Sequence, residues 1–449
     1  MRASNSQVSV ESRTAQSSLA ASALILALLL LTTLAPANSY AAIFDFLWPK
    51  AKTRGNQRAT VKLDAQGNIL VEGRPFFPIG IYHVDTPEHL RMVKSAGFNT
   101  IETTADRAVE LRDALERERV FVIAHGGGVE TESVRATVEL LKDHPMLLAY
   151  YPLDEPELNE VPLAKARAAY RLFRKLDPQR PVFTVIARPD EYDRWKATCD
   201  ILGVDPYPIP HAPPVRVAEY MDRAAASISR LPGQGSEDNQ RAASGYRAVW
   251  GIPQAFDWDF YREDNALSKP KHLLRPTEAE MRLMTYLEVI HGAKGIIFYC
   301  LVGYGGYNTI ENPVQWKALR RLARELARLS PALVGPDAAW KLEAKPPEGI
   351  HARAKRWGDD ILILAANPQD VEKEVTLRLL LPKERQQAAG QGAAQLPDSA
   401  EVMFERRTVK FQKGVIADRF DAYDVHVYLV KMTEQTKGAA GAKSAAPRG

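Results

Sequence analysis

Residues 98–130 read FNTIETTADRAVELRDALERERVFVIAHGGGVE. Two apolar runs, FNTIET from Phe98 and VFVIAHG from Val120, flank the amphipathic stretch ADRAVELRDALERER, so the segment predicts strand, helix, strand. The same rhythm extends in both directions. Upstream lies FFPIGIY from Phe76; downstream follow LLAYYPL from Leu147, VFTVIA from Val182, ILGVDPY from Ile201, AVWGIPQAF from Ala248 and GIIFYCL from Gly295. Continuous runs rich in Val, Ile and aromatic residues suit strands buried on both faces. Helical patterns lie between them, with starts signalled by Thr86-Pro87-Glu88 and Pro276-Thr277-Glu278. Eight strand-helix units over about 255 residues predict an α/β chain built as a (β/α)8 TIM barrel. A doubly wound open sheet is the alternative, but no glycine-rich dinucleotide fingerprint follows any of these strands.

Ahead of the barrel, VKLDAQGNILVEGRPFF from Val61 predicts a β-hairpin turning at QGN and covering the barrel floor. After it the pattern changes to period two in IHARAKRW, DDILILAANP, KEVTLRLLLP, AEVMFERRTVKF and AYDVHVYLVK, which predicts about five strands of a small antiparallel β-sandwich. The expected organisation is a barrel with its hairpin over 59–332, a sandwich over 335–432 and a disordered tail over 433–449. Residues 229–246 and 383–400 read as surface loops.

The first residues are set apart from the fold. Arg2 and Arg13 precede the apolar run ASALILALLLLTTLA from Ala21, and small residues follow, which predicts a signal peptide over 1–41 cleaved after Ala41, then a linker over 42–58. The run is shorter than the ~20 residues of a spanning helix, and no other run is apolar enough, so a soluble, exported (periplasmic or secreted) protein is expected. Hydrophobic residues at 45% and charged residues at 25% are those of a globular chain of 449 residues. A net charge of +4, from 59 basic against 55 acidic residues, offers no basic stripe for nucleic acid. The two cysteines, Cys199 and Cys300, adjoin apolar runs and read as packed thiols, with a single bridge as the alternative.

In such barrels the chemistry sits at the C-terminal ends of the strands. There the sequence places His83 and Asp85, Glu102, His125, Asp154 with Glu155, Arg188, Asp205 with Tyr207, Gln254 with Asp257 and Trp258, and Tyr299. So many polar and aromatic ends predict a polar pocket. Tyr82, Tyr207, Trp258, Tyr299, Tyr304 and Tyr307 supply flat rings suited to stacking on sugars, whereas Trp250, mid-strand, reads as core. Residues 257–275 and GYGGYN from Gly303 are the expected cleft walls.

At AYYPLDEPE, residues 149–157, the chain resembles clan A glycoside hydrolases, whose fourth strand ends in Asn-Glu-Pro. VEGRPFFPIGIYH from Val71 and GIIFYC from Gly295 resemble that clan's first and eighth strands, and the likeness spans roughly residues 60–330. The resemblance implies a carbohydrate substrate, no cofactor, no metal, and Glu155 as general acid/base. Two positions depart from it. The clan's nucleophilic Glu on strand seven is Gln254 here, and its Asn is Asp154. Barrels of the N-acetylhexosaminidase type are similar in having adjacent Asp-Glu after strand four; the resemblance implies that Asp154 orients an acetamido group, which attacks in place of a protein carboxylate. Inversion with Asp205, Asp257 or Glu102 as base, or retention with a relocated carboxylate, stays open. Tyr82, His83, Glu102, His125, Asp205, Tyr207, Gln254, Asp257, Trp258 and Tyr299 are the candidate substrate-binding residues. Two other classes fit the same ends: a catalytically silent carbohydrate-binding barrel, and a metal-dependent hydrolase using His83, His125, Asp205 and a strand-four carboxylate.

Overall fold

The computed structural model describes residues 58–229, 247–258, 275–303, 308–380 and 396–432. The signal peptide, nearly all of the linker, the two surface loops for most of their length, Tyr304, Tyr307 and the tail lie outside the described residues, as does 259–274 of the expected cleft wall.

Three short strands open the fold: β1 (Val61–Leu63), β2 (Ile69–Val71) and β3 (Arg74–Phe76) pair antiparallel in that order. The expected hairpin therefore gains a third strand. Pro78 has no N–H to offer a ladder, and the run FFPIGIY divides around it, Phe76 ending β3 and Ile79 starting the barrel. The small sheet covers the N-terminal side of the barrel: the Phe76 and Phe121 rings meet edge to face at 5.1 Å, Phe121 being the first residue of a barrel strand.

The barrel consists of β4 (Ile79–Ile81), β5 (Thr100–Thr104), β6 (Phe121–His125), β7 (Leu147–Asp154), β8 (Val182–Val185), β9 (Ile201–Val204), β10 (Ala248–Gly251) and β11 (Ile296–Phe298), closed in chain order with every pair parallel. Nearly every strand residue is buried, because one face meets the barrel interior and the other the surrounding helices. Several of those helices start where a side chain satisfies free N–H groups. Thr86 caps Pro87–Ala96, Asn312 caps Pro313–Leu333, and Thr277 with Glu280 forms a reciprocal capping box on Glu278–Ile290. Among the described residues no helix is long and apolar enough to cross a membrane. Cys199 and Cys300 are free buried thiols, and burial pushes the Cys199 thiol up to about 12.

The C-terminal part is an antiparallel sandwich: β12 (Lys341–Lys345), β13 (His351–Trp357), β14 (Asp360–Ala366), β15 (Lys373–Leu380), β16 (Ser399–Val402), β17 (Arg407–Lys410), β18 (Val415–Phe420) and β19 (Val425–Val430). They form the sheets β12-β15-β18 and β13-β14-β19-β16-β17. The expected single strand AEVMFERRTVKF is two, β16 and β17, joined where Phe404 and Arg406 adopt positive φ. β14 reads as a continuous apolar run because both its faces are buried: Leu362, Leu364 and Ala366 join the barrel core, while Ile361, Ile363 and Ala365 join the sandwich core. Beside them Glu325 accepts bonds from Arg282 Nε at 3.1 Å and Tyr286 at 2.8 Å, and Arg282 also donates to the Val425 carbonyl.

A second link between barrel and sandwich is a chain of titratable groups. Asp222 Oδ1 lies 2.6 Å from His291 Nδ1, and His291 Nε2 lies 2.7 Å from His351 Nδ1. Asp222 belongs to the helix Arg216–Ser229, His291 follows Glu278–Ile290, and His351 begins β13. Burial first, and His291 second, lower His351 to about 4. The folded protein thus binds fewer protons here than the unfolded chain, and stability is lost as pH falls from about 6.5 towards about 4. Denaturant midpoints measured across that window will drop for the wild type and will be flatter for His351→Gln.

Candidate active site

The C-terminal strand ends converge on a cavity of about 130 Å³ lined by Tyr82, Asp154, Glu155, Val185, Asp205, Tyr207, Phe256, Trp258 and Tyr299. Its base is built by β7. Tyr150 pairs with Val182 but Leu153 pairs with Thr184, so β7 carries one extra residue between them, at a bulge that contains Pro152. In a regular strand, residues three apart face opposite sides. The bulge cancels that alternation, and Tyr151 and Asp154 meet on the inner side, the Tyr151 hydroxyl donating to Asp154 Oδ1. Tyr150 keeps the outward side, where its hydroxyl donates to Asp177 at 3.0 Å. It therefore does not stand beside Glu155.

Glu155 follows with φ 42°, a left-handed conformation that costs a non-glycine residue roughly 1 kcal/mol or more. This turn brings its carboxyl beside Asp205 at the end of β9. Burial raises Glu155, with the Asp154 charge adding to it, and burial followed by Glu155 raises Asp205 well above the carboxylate range. The pair therefore holds a proton at pH values where an isolated carboxyl has lost it. Asp205 is buried, whereas Asp154 is open to the cavity. Asp154 Oδ2 has no hydrogen-bond partner among the described residues, and Oδ1 is occupied by Tyr151.

The opposite wall is aromatic. Tyr299 and Tyr207 stack at 5.7 Å, Tyr82 meets Tyr299 edge to face at 5.3 Å, and Phe256 packs against Trp258 at 4.9 Å. Seven sequence candidates line the cavity: Tyr82, Asp154, Glu155, Asp205, Tyr207, Trp258 and Tyr299. Val185 and Phe256 were not among them. Phe256 follows Pro253, beyond the end of β10, where strand alternation no longer tells which way a side chain points.

The remaining candidates are not part of the lining. Glu102 is buried, accepts the His83 backbone N–H at 3.1 Å, and lies 3.9 Å from both His83 Nε2 and His125 Nδ1. Burial pushes it up to about 8, so it is largely protonated near neutrality and a poor base. His83 Nδ1 lies 2.7 Å from the Val302 carbonyl, an acceptor only, so that nitrogen carries the proton. His125 stacks on Tyr151 at 4.6 Å, and burial lowers its pKa. Among the described residues no group of three or more His, Cys, Asp or Glu is arranged to hold a metal ion. Asp257 is buried and outside the lining. Gln254 also lies outside the lining. It is fully buried, its Oε1 accepts from the Ile209 N–H at 3.0 Å, and its Nε2 donates to the Ile209 carbonyl at 2.8 Å. Its amide holds a loop and is not presented to the cavity.

No protein-family model matches the chain, and no curated protein is similar to it. Solved structures with a similar fold include a glycoside hydrolase at 11% identity, covering 84% of this chain and 97% of that one with a TM-score of 0.54. A GH30 endoxylanase from Clostridium papyrosolvens C71 shows 9% identity over 83% and 98%, TM-score 0.44. A GH2 β-galacturonidase from Eisenbergiella tayi, bound to galacturonate, shows 14% identity over 60% and 54%, TM-score 0.43. The chain spans about half the length of that galacturonidase. At these identities the likeness is one of fold.

Proposed function

We propose that the chain is a glycoside hydrolase in which Glu155 is the general acid and later the general base. The observation that carries this is the pair of carboxyls Glu155 and Asp205, both raised by burial, in an aromatic-lined cavity at the C-terminal ends of a closed barrel. Protonating a departing glycosidic oxygen needs a carboxyl that is still protonated at working pH, and burial with a carboxyl partner supplies it.

The mechanism follows by elimination among the described carboxyls. Inversion needs carboxyl groups about 6.5–9.5 Å apart with water between them. Asp205 lies directly beside Glu155, which leaves no such gap, while Glu102 and Asp257 stand outside the lining. Gln254 offers no carboxylate. Asp154 remains: a carboxylate open to the cavity, adjacent to the acid and held by Tyr151. These facts favour substrate assistance. Asp154 accepts the N–H of a 2-acetamido group, and the acetamido oxygen bonds to the anomeric carbon as Glu155 gives its proton to the leaving oxygen. Water, deprotonated by Glu155, then opens the cyclic intermediate. The described lining holds three carboxyl side chains and no basic one, which disfavours uronate sugars. Aryl glycosides with and without a 2-acetamido group test this reading: turnover confined to the acetamido series is expected, and equal turnover of 2-hydroxy sugars would defeat it.

A silent carbohydrate-binding barrel is the second reading, favoured by the amide at position 254. Glycan binding without turnover in any series would establish it. Export is proposed on the apolar run from Ala21; mature protein recovered outside the cytoplasm with Ala42 as its first residue is the expected result.

A further inference from the structure

We infer that Tyr151 is a positioning residue of this site: it fixes the carboxylate of Asp154 through a hydrogen bond that the β7 bulge creates. The inference rests on the proposed function for its kinetic consequence and on geometry alone for the bond itself. Tyr151 is fully buried, so its hydroxyl must find partners inside the protein. It has two, Asp154 Oδ1 and the Tyr82 hydroxyl at 3.4 Å. The Tyr151 hydroxyl donates to Asp154, and the Tyr82 hydroxyl donates to Tyr151. The order Tyr82, Tyr151, Asp154 is thereby set in one direction and ends on the carboxylate.

The ring that carries this hydroxyl is held on several sides. His125 lies over it at 4.6 Å, Phe183 at 4.9 Å, and Tyr82 meets it edge to face at 6.0 Å. Burial, with the Asp154 charge next, raises the phenol well above its ordinary value, so it keeps its proton. With Oδ1 occupied, Asp154 directs Oδ2 to the cavity as the acceptor for a substrate N–H. An Asp without that bond rotates about χ1 and χ2, and a displacement of about 1 Å at the reacting centre costs on the order of 10²-fold in rate.

The test is a double-mutant cycle of Tyr151→Phe and Asp154→Ala on a 2-acetamido aryl glycoside, with melting curves to verify folding. Tyr151→Phe keeps the ring contacts and removes only the hydroxyl. The expected result is a kcat about 10–100-fold lower with KM nearly unchanged, and almost no further loss from Tyr151→Phe when Asp154 is already Ala. An equal loss in both backgrounds would overturn the inference, because Tyr151 would then act on something other than Asp154. Low-field proton NMR of the wild type reads the bond without turnover: a protected hydroxyl resonance is expected that vanishes in both single variants. Its absence from the wild type would also overturn the inference. A wild type that shows the resonance but cleaves no glycan would defeat the proposed function and leave the bond standing.

Discussion

Glu155→Gln lowers kcat by about 10²–10⁴-fold on substrates with poor leaving groups, and by much less on aryl glycosides whose phenolate leaves unaided. The amide has the shape of the carboxyl but has no acidic proton to deliver. That difference between leaving groups is the discriminating measurement, because a residue needed only for folding or binding depresses both series alike. The pH profile carries the same information. Burial raises both members of the Glu155–Asp205 pair, so the pair keeps a proton above the usual carboxylate range. Activity requires it and is lost as pH rises through the apparent pKa of the pair. The alkaline limb of the wild type is therefore expected to disappear in Glu155→Gln, whose residual rate on activated substrates no longer depends on that proton. A limb that survives unchanged would assign the titration to another group and remove Glu155 from its role.

The barrel was legible because a strand buried on both faces must be apolar throughout, and eight such runs recur with amphipathic stretches between most of them. By the same logic Tyr82, Asp205, Tyr207 and Tyr299 fall just past the ends of β4, β9 and β11. What the sequence hid depends on departures from regular periodicity. Tyr151 and Asp154 are three apart, which alternation puts on opposite faces; only Pro152 between them hints at the bulge that unites them. The partnership of Glu155 with Asp205 joins β7 to β9, two strands that are not neighbours in the barrel, and no local pattern encodes it. In the sandwich, β12 escaped because its residues are half-exposed and its sequence KLEAK carries no apolar alternation. Glu102, expected at a strand end, is the middle residue of β5 and is buried against two imidazoles, since an apolar run does not reveal where the strand stops.

Gln254→Glu tests whether strand seven lost a nucleophile or acquired a clamp, and no gain in turnover is expected. The wild-type amide donates to the Ile209 carbonyl at 2.8 Å and accepts from its N–H at 3.0 Å, which a carboxylate cannot reproduce. In the variant, an oxygen replaces the donor and faces a carbonyl oxygen, and the side chain is fully buried. An unsatisfied buried polar group costs about 1–3 kcal/mol, and a buried charge costs more unless it protonates. Protonated Glu can donate to the Ile209 carbonyl, so the variant approaches wild-type stability at acidic pH. Because burial raises the folded-state pKa above the unfolded value of about 4.3, its stability falls as pH rises from there towards the folded pKa. Urea midpoints at pH 5 and pH 8 should therefore diverge from those of the wild type in the second case far more than in the first. Gln254→Leu leaves both Ile209 groups unpaired and should be destabilised at either pH. If Gln254→Glu instead cleaves glycans faster than the wild type at unchanged stability, the side chain at this position reaches the substrate, and elimination no longer singles out Asp154.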